Sequence, residues 1–522
     1  MDTKALRQKI LDLAIRGKLV PQDPSDEPAS VLLERIREQK KQMVKEGKLK
    51  AKDIMDDTII FVGEDNLHYE KFADGTVKCI EEEIPFEVPE GWEWTRLGSL
   101  FSTITGSTPS TKDASLYGDE YPFYKPTDLD AGFDVCFSED TVSEKGYKNG
   151  RILPVYSVLV TCIGATIGKT GYIRNSGICN QQINAILPNT FILPEYTYFC
   201  MCSEFEQQQI WTNSSATTLP ILNKSKFDSL FFPVPPKAQQ TRTVERIKEL
   251  LHFVEIIQQE KRTLQETIKL TKSKILDLAI RGKLVPQDPN DEPASVLLER
   301  IRTEKEELIK QGKIKRDKKE SIIFRGDDNS YYLRTGEVEE SLENWRFDDL
   351  PETWEICCLC ELCDYGDCIS VNTEDIAEDA WILDLEDIEK DTGTVLKKVA
   401  KAQRNSVSTK HKFHSGQVLY SKLRPYLNKV VLSDADGYCT SEILPLEFKN
   451  CVLPEYARYY LMSGTFIAYA NHCSYGVKMP RLGTTDGKKA IFSLPPLSEQ
   501  KRIVETIDFF FMQLNKISEA LA

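Results

Sequence analysis

The stretch Lys9–Arg37, KILDLAIRGKLVPQDPSDEPASVLLERIR, returns as Lys274–Arg302 with a single change, Asn290 in place of Ser25. The copies lie 265 residues apart, about half of a 522-residue chain. A repeat of that period restricts the fold more than any local propensity does. The chain is therefore two pseudo-equivalent halves, each with one nearly invariant piece and one divergent piece. Matching pieces predict the same binding event performed twice. Divergent pieces predict two different ones.

Leu6, Ile10, Leu13 and Ala14 stand at helical spacing and predict a helix from Met1 to about Arg16, ended by Gly17. Asp26 is the expected N-cap of a second helix, with Pro28 in its first turn. That helix carries Val31, Leu32 and Ile36 and runs to Gly47. A polar segment follows, in which IIFVGEDNLHYE is echoed by IIFRGDDNSYYL at Ile322–Leu333. The texture changes at VPEGW (Val88–Trp92), echoed by LPETW (Leu350–Trp354). Beyond each lie short β-rich runs such as Val155–Cys162, and LPEY at Leu193 and Leu453 opens a helix. Each divergent piece closes on a Pro-Pro pair leading into a helix, PVPPKAQQTRTVERI (Pro233–Ile247) and SLPPLSEQKRIVETI (Ser493–Ile507).

The longest helical pattern follows the first Pro-Pro pair. Ile247, Leu251, Val254, Ile257, Leu264, Ile268, Ile275 and Leu278 form an a/d seam. About 44 such residues would span roughly 65 Å. The C-terminal counterpart, Ser498–Ala522, stops early, and the missing part has the sequence that begins the chain, Met1–Arg16. The expected organisation is circular, with the last and first helices together imitating the central one. The expected fold is α+β: two mixed α/β domains separated by long antiparallel coiled-coil helices about a pseudo-two-fold axis. The expected divisions are a helical repeat region at 1–87, a first divergent domain at 88–235 and a central helix with second repeat region at 236–349. A second divergent domain at 350–496 and a terminal helix at 497–522 complete the chain.

No run of roughly 18 apolar residues predicts a membrane span, and the polar start MDTKALRQKI lacks an apolar signal core. A cytoplasmic location is expected, with the 14 Cys as reduced thiols. The net charge of −14 argues against a protein that coats nucleic acid non-specifically. One segment departs from that balance. Lys397, Lys398, Lys401, Arg404, Lys410, Lys412, Lys422, Arg424 and Lys429 occur without an Asp or Glu between them, interleaved with Tyr420 and Tyr426. Such a run predicts a phosphate-neutralising surface. The matching stretch of the first half is weaker, with Lys145, Lys148, Arg151, Lys169 and Arg174 against Glu144. It is followed by Asn180, Gln181 and Gln182, whose amides are of the type that pairs with adenine edges. Thr166, Lys125, Lys478 and Arg481 complete the candidate DNA contacts.

Catalytic signatures are missing. IGATIGKTG (Ile163–Gly171) has three residues between its glycines where a phosphate loop needs four, so a tight turn between strands is expected. Cys357, Cys358, Cys360, Cys363 and Cys368 cluster, but no second pair stands at zinc spacing, and buried thiols are expected instead of a metal site. His411 and His414 sit among basic residues. No nucleophile–base arrangement, dinucleotide fingerprint or Pro-Pro-aromatic amino-methylation motif is recognisable. The expected chain is a binding protein without catalytic residues.

Taken together, the duplicated ILDLAIRGKLVPQDP…DEPASVLLERIR, the P-x-x-W openings, the GATIGKTG turn, VLYSKLRPYLNKV (Val418–Val430) and the PP…Q.R.V..I closings resemble the specificity subunit of Type I restriction–modification enzymes. The resemblance covers essentially the whole chain. It implies two target recognition domains, each reading one half of a bipartite, asymmetric site in double-stranded DNA, with the helices as a ruler between them. It also implies two methylation subunits that bind S-adenosylmethionine and methylate adenine N6, and restriction subunits that use ATP and Mg. No cofactor is then expected in this chain. The repeats are expected to dock the methylation subunits through Leu32, Leu33 and Ile36 and through Leu297, Leu298 and Ile301. Alternatives from other classes are a helical scaffold without nucleic-acid binding and a stand-alone nuclease or methyltransferase.

Overall fold

The computed structural model describes residues 2–47, 54–55, 57–215, 219–313, 321–328, 330–342, 350–404 and 408–521. The chain divides into two compact units, Met1–Glu260 and Lys261–Ala522. The boundary falls inside one continuous helix of 44 residues, Lys237–Ile280.

In the first unit, Asp2 caps the helix Thr3–Ile15 by accepting from the amides of Lys4 and Ala5. Gly17 ends it with φ +65°, and a Cβ there would lie 2.4 Å from Pro89 Cγ, so glycine is required for backbone and space alike. Ile10, Leu11, Ala14 and Ile15 pack against Leu32 and Ile36 of the helix Ala29–Lys45 and against Val244, Ile247 and Val254 of the long helix. Arg7 reaches Glu255 while Asp26 pairs with Arg242, so the first helix runs antiparallel to the long one. Asp26 is therefore not the N-cap expected of it. Pro28 holds that position without a side-chain bond, and the Ala29 amide donates to Gly91 O at 2.8 Å.

The divergent domain of this unit opens on the strand Glu93–Arg96 and closes on Phe231–Val234, and the two pair antiparallel. Between them a four-stranded sheet orders Thr103–Thr105, Ile183–Ile186, Val158–Thr161 and Thr170–Tyr172. Ile183–Ile186 and Val158–Thr161 are buried on both faces, and their residues are apolar apart from Asn184 and Thr161. The helices Pro194–Met201 and Glu204–Asn213 cover the sheet.

The second unit repeats this construction. The end of the long helix supplies Ile275, Leu276, Ala279 and Ile280 to a core shared with Leu297 and Leu298 of Ala294–Lys310 and Ile503 and Ile507 of Leu497–Leu521. Gly282 has φ +65° and would place a Cβ 2.4 Å from Pro351 Cγ. Lys272 meets Asn515 and Arg502 pairs with Asp291, again antiparallel. Leu497–Leu521 thus serves the end of the long helix as the beginning of the long helix serves Thr3–Ile15. The strands Glu355–Cys358 and Ile491–Leu494 open and close the divergent domain in the register of the first unit. The a/d seam is buried at Ile247 and Val254 and again at Ile268 and Ile275, whereas Ile257 and Leu264 are 38% and 40% exposed. Among the described residues no helix is long and apolar enough to cross a membrane.

Candidate nucleic-acid interface

The GATIGKTG segment is a turn between Val158–Thr161 and Thr170–Tyr172. Gly164 (φ +104°) donates to Pro220 O at 3.0 Å, Ile167 donates back to Gly164 O, and Gly168 (φ +87°) donates to Thr161 O at 2.8 Å. Two left-handed residues in one turn explain both glycines. Gln207 Nε2 holds the turn from behind through Gly168 O at 2.8 Å. Thr166 stands exposed at its crest. The Asn180–Gln182 corner lies alongside, because the Cys162 amide donates to Gln182 O at 2.7 Å.

The second unit builds the same constellation from other residues, each numbered 260 higher. Arg424 donates to Pro480 O at 2.8 Å, Leu427 donates to Arg424 O at 2.9 Å and Lys422 donates to Glu442 O at 3.0 Å. Arg424 (φ +51°) stands where Gly164 does, and Asn428 (φ +49°) where Gly168 does. Tyr426 replaces Thr166 at the crest and is 50% exposed. The hairpin Ser474–Tyr475 with Arg481–Leu482 completes the constellation, as Ser215 and Ile221 do in the first unit. This residue-by-residue correspondence is not visible when GATIGKT is set beside RPYLNKV.

The basic run does not survive folding as a uniform surface. Arg404, whose side chain is 9% exposed, is clamped by Asp384 and the fully buried Asp387. Lys410 is buried beside Ser408 and Asp384. These two candidates are corrected to structural residues: Lys410 is enclosed, and releasing Arg404 would strand the buried Asp387 carboxylate, a loss of several kcal/mol. Lys397 approaches Asp387 at 3.8 Å, Lys398 pairs with Asp434 at 2.7 Å and Lys401 with Glu378 at 3.0 Å. Lys429 donates to Leu385 O, and burial lowers its pKa. Arg481 is held by Glu442 at 2.9 Å. The acids come from just outside the run, at residues 378–387 and 434–442. Among the described residues, Lys412, Lys422, Arg424 and Lys478 have no side-chain hydrogen bond or ion pair. Tyr420 is core, not interface.

In the first unit, Lys125 pairs with Asp140, Lys148 with Glu144 and Lys169 with Asp130. Arg151 is exposed and donates to Thr105 O. Exposed pairs such as Lys148–Glu144 are worth only about 0–1 kcal/mol, so a phosphate can replace the carboxylate. Asn180 is corrected from a base-reading candidate to a corner-former: it is 7% exposed, donates to Gln182 Oε1 at 2.9 Å and accepts from the Gln182 amide at 3.1 Å. Gln181 is exposed, and Thr108 donates to its Oε1. Gln182 is half-buried.

The docking candidates are corrected as well. Leu32 and Ile36, and Leu297 and Leu298, lie in the cores of their own units, with Leu33 and Ile301 packed against them. Their helical spacing marks the stripe that closes the unit. The opposite face carries Val31, Glu34 and Arg35, repeated as Val296, Glu299 and Arg300, all exposed. Identity at these exposed positions is not required by packing within the unit. Among the cysteines, Cys357 and Cys363 are core residues and Cys360 Sγ donates to Ser321 O. Among the described residues no group of three or more His, Cys, Asp or Glu is placed to hold a metal ion.

A family described as the Type I restriction modification DNA specificity domain matches residues 89–266 and 351–521. The chain is similar to the Type I restriction enzyme EcoAI specificity subunit of Escherichia coli, 27% identical over 576 residues, covering 98% of this chain and 90% of that protein. It is also similar to the EcoEI specificity subunit of Escherichia coli, 26% identical over 598 residues, covering 99% and 90%. In fold it resembles a chain from a solved structure described as the structural basis of complex assembly and conformational transition of the type I R-M system. That likeness has a TM-score of 0.54 and 16% identity over 84% of this chain and 94% of the other. Two matches to one family, each enclosing one of the paired turns and together more than half of the residues, place this chain in the Type I restriction modification DNA specificity family.

Proposed function

We propose that this chain is the specificity subunit of a Type I restriction–modification complex, in which residues 88–235 read one half of a bipartite, asymmetric site in double-stranded DNA and residues 350–496 read the other. The observation that carries this reading is the pair of turns joined by matching backbone hydrogen bonds but bearing different side chains: Gly164, Thr166 and Gln182 against Arg424, Tyr426 and Glu442. One backbone presenting two chemistries is what two different half-sites require, since base edges are distinguished by their donors and acceptors.

The two repeats dock two copies of one methylation subunit through the exposed face at Val31, Glu34 and Arg35 and its counterpart at Val296, Glu299 and Arg300. The methylation subunits supply S-adenosylmethionine and transfer methyl groups to adenine N6. Restriction subunits supply ATP- and Mg-dependent cleavage, and the assembly works in the cytoplasm. Methylome sequencing of the host with and without this gene tests the reading. The expected result is loss of one bipartite, adenine-methylated motif. An unchanged methylome in a strain that expresses the partner subunits overturns it.

A further inference from the structure

Of the eleven Lys and Arg proposed from the sequence of the second unit, counting Lys478 and Arg481 with the nine of the basic run, most are occupied by its own acids and carbonyls. Arg424 is the one arginine of that set without such a partner among the described residues. Its Nε is buried and has no hydrogen-bond partner. Its backbone is left-handed, φ +51°, at a place where the first unit uses glycine with φ +104°. Arginine gains nothing from that conformation, which L side chains disfavour. Neighbouring bonds impose it: the Arg424 amide donates to Pro480 O and its carbonyl accepts from Leu427. A strained, unpartnered side chain held by its surroundings is a mark of function.

Resting on the DNA-reading function proposed above, we infer that Arg424 is a specificity-determining residue that reads a guanine of the second half-site through the major groove. A guanidinium presents a planar fork of donors matching guanine O6 and N7, the commonest base-specific contact. The backbone that carries the fork is tied to the hairpin that closes at Arg481, through the Leu423–Arg481 bridge, the Arg424 amide on Pro480 O and the Leu482 amide on Lys422 O. Tyr426, two residues on and 50% exposed, flanks it on the same crest. Lys422, also unpaired, has a point charge without a fork and serves a phosphate. The first unit has glycine at this place and cannot make the same contact, so the inference applies to one half-site alone.

The full chain, co-purified with the methylation subunits of its host, is used to select from randomised duplex DNA, and the bound pool is sequenced at several salt concentrations. Arg424→Gly reproduces the first unit and removes the backbone strain, so its thermal stability should be at least that of the parent. It should lose preference at a single G·C position, on the order of tenfold to a hundredfold, with all other positions unchanged. Arg424→Lys keeps the charge and loses the fork. It should relax the same position while leaving the salt slope unaltered, and it preserves the test if the glycine variant misfolds. An unaltered motif with uniformly weaker binding and a shallower salt slope makes Arg424 a phosphate contact and overturns the inference. An unaltered motif with unaltered affinity overturns it as well. If the parent complex itself enriches no motif, the proposed function fails, which is a distinct result from a parent motif that Arg424 does not influence.

Discussion

In the first unit the helix capped by Ser203 carries Glu206 into the core, and in the second the helix capped by Ser463 carries Phe466 to the same place. Both side chains are almost wholly enclosed. One is an acid that accepts from Cys200 and Gln209, and the other packs edge-on against Tyr420. The bonds framing these interiors are nevertheless the same. Tyr196 donates to Pro233 O and Tyr456 to Ser493 O, each at 3.1 Å. Gln240 and Gln500 each accept from the amide before a helix, Leu193 and Leu453, and donate to the first carbonyl of a Pro-Pro pair. A domain whose frame is fixed by backbone-directed hydrogen bonds tolerates a change of interior as large as acid for aromatic. The frame is therefore shared by the two domains, while the interior and the turn are not.

The strongest way to break that comparison is to place residues 350–496 where 88–235 stand. With the frame shared, the chain should fold and direct methylation to a motif built from one half-site used twice, as methylome sequencing would show. Persistence of the original first half-site would separate reading from these domains. A smaller but still large effect is expected from Gly17→Ala and Gly282→Ala. Each forces a side chain into left-handed backbone, about 1 kcal/mol, and against a proline ring, about 1–3 kcal/mol more. Chemical denaturation should show equal losses for the two, and a clear inequality would mean the frames are not equivalent.

Glu206 sharpens the contrast through pH. Burial holds its carboxyl well above the ordinary glutamate value of 4.5, against the bonds from Cys200 and Gln209. The folded state thus binds this proton more tightly than the unfolded state. Its contribution is complete below 4.5 and is lost as pH rises from there toward the folded value. Glu206→Gln should flatten that part of the first unit's stability–pH profile, and the second unit, with Phe466, should lack it from the start. An unchanged profile in the variant would place Glu206 in water. The smallest effect concerns single cations. Lys422→Ala should lower the slope of log affinity against log salt by about 0.9, whereas Lys410→Ala, whose ammonium is buried beside Ser408 and Asp384, should alter it little. Equal slopes for both would mean that internal pairing does not predict the DNA-facing set.

The frame was legible because it is written twice. A P-x-x-W opening and a Pro-Pro closing each stand beside one of two paired strands in both units, and the central helix has its expected 44 residues. The site was less legible, for two physical reasons. Charge was summed along the chain, but Asp384 and Asp387 reach Arg404 across 20 and 17 residues, and Asp434 reaches Lys398 across 36. The docking stripe was read from apolar periodicity, and in a helix that closes its own unit that periodicity points inward. Left-handed backbone at Gly164, Gly168 and Asn428 suits residue types known to adopt it, whereas nothing in the sequence marks Arg424.

Each divergent domain begins and ends on neighbouring strands, with Glu93 opposite Val234 and Glu355 opposite Leu494. Such strands lie about 4.8 Å apart, so the chain enters and leaves the domain at one place. The entropy of closing a loop grows with the logarithm of its length, and doubling it costs about 0.6 kcal/mol. Closure by itself therefore sets little limit on the length of the domain. Inheritance of a single foreign DNA segment, joined at two points that the fold brings together, could change the sequence a cell protects while leaving the helices as they were.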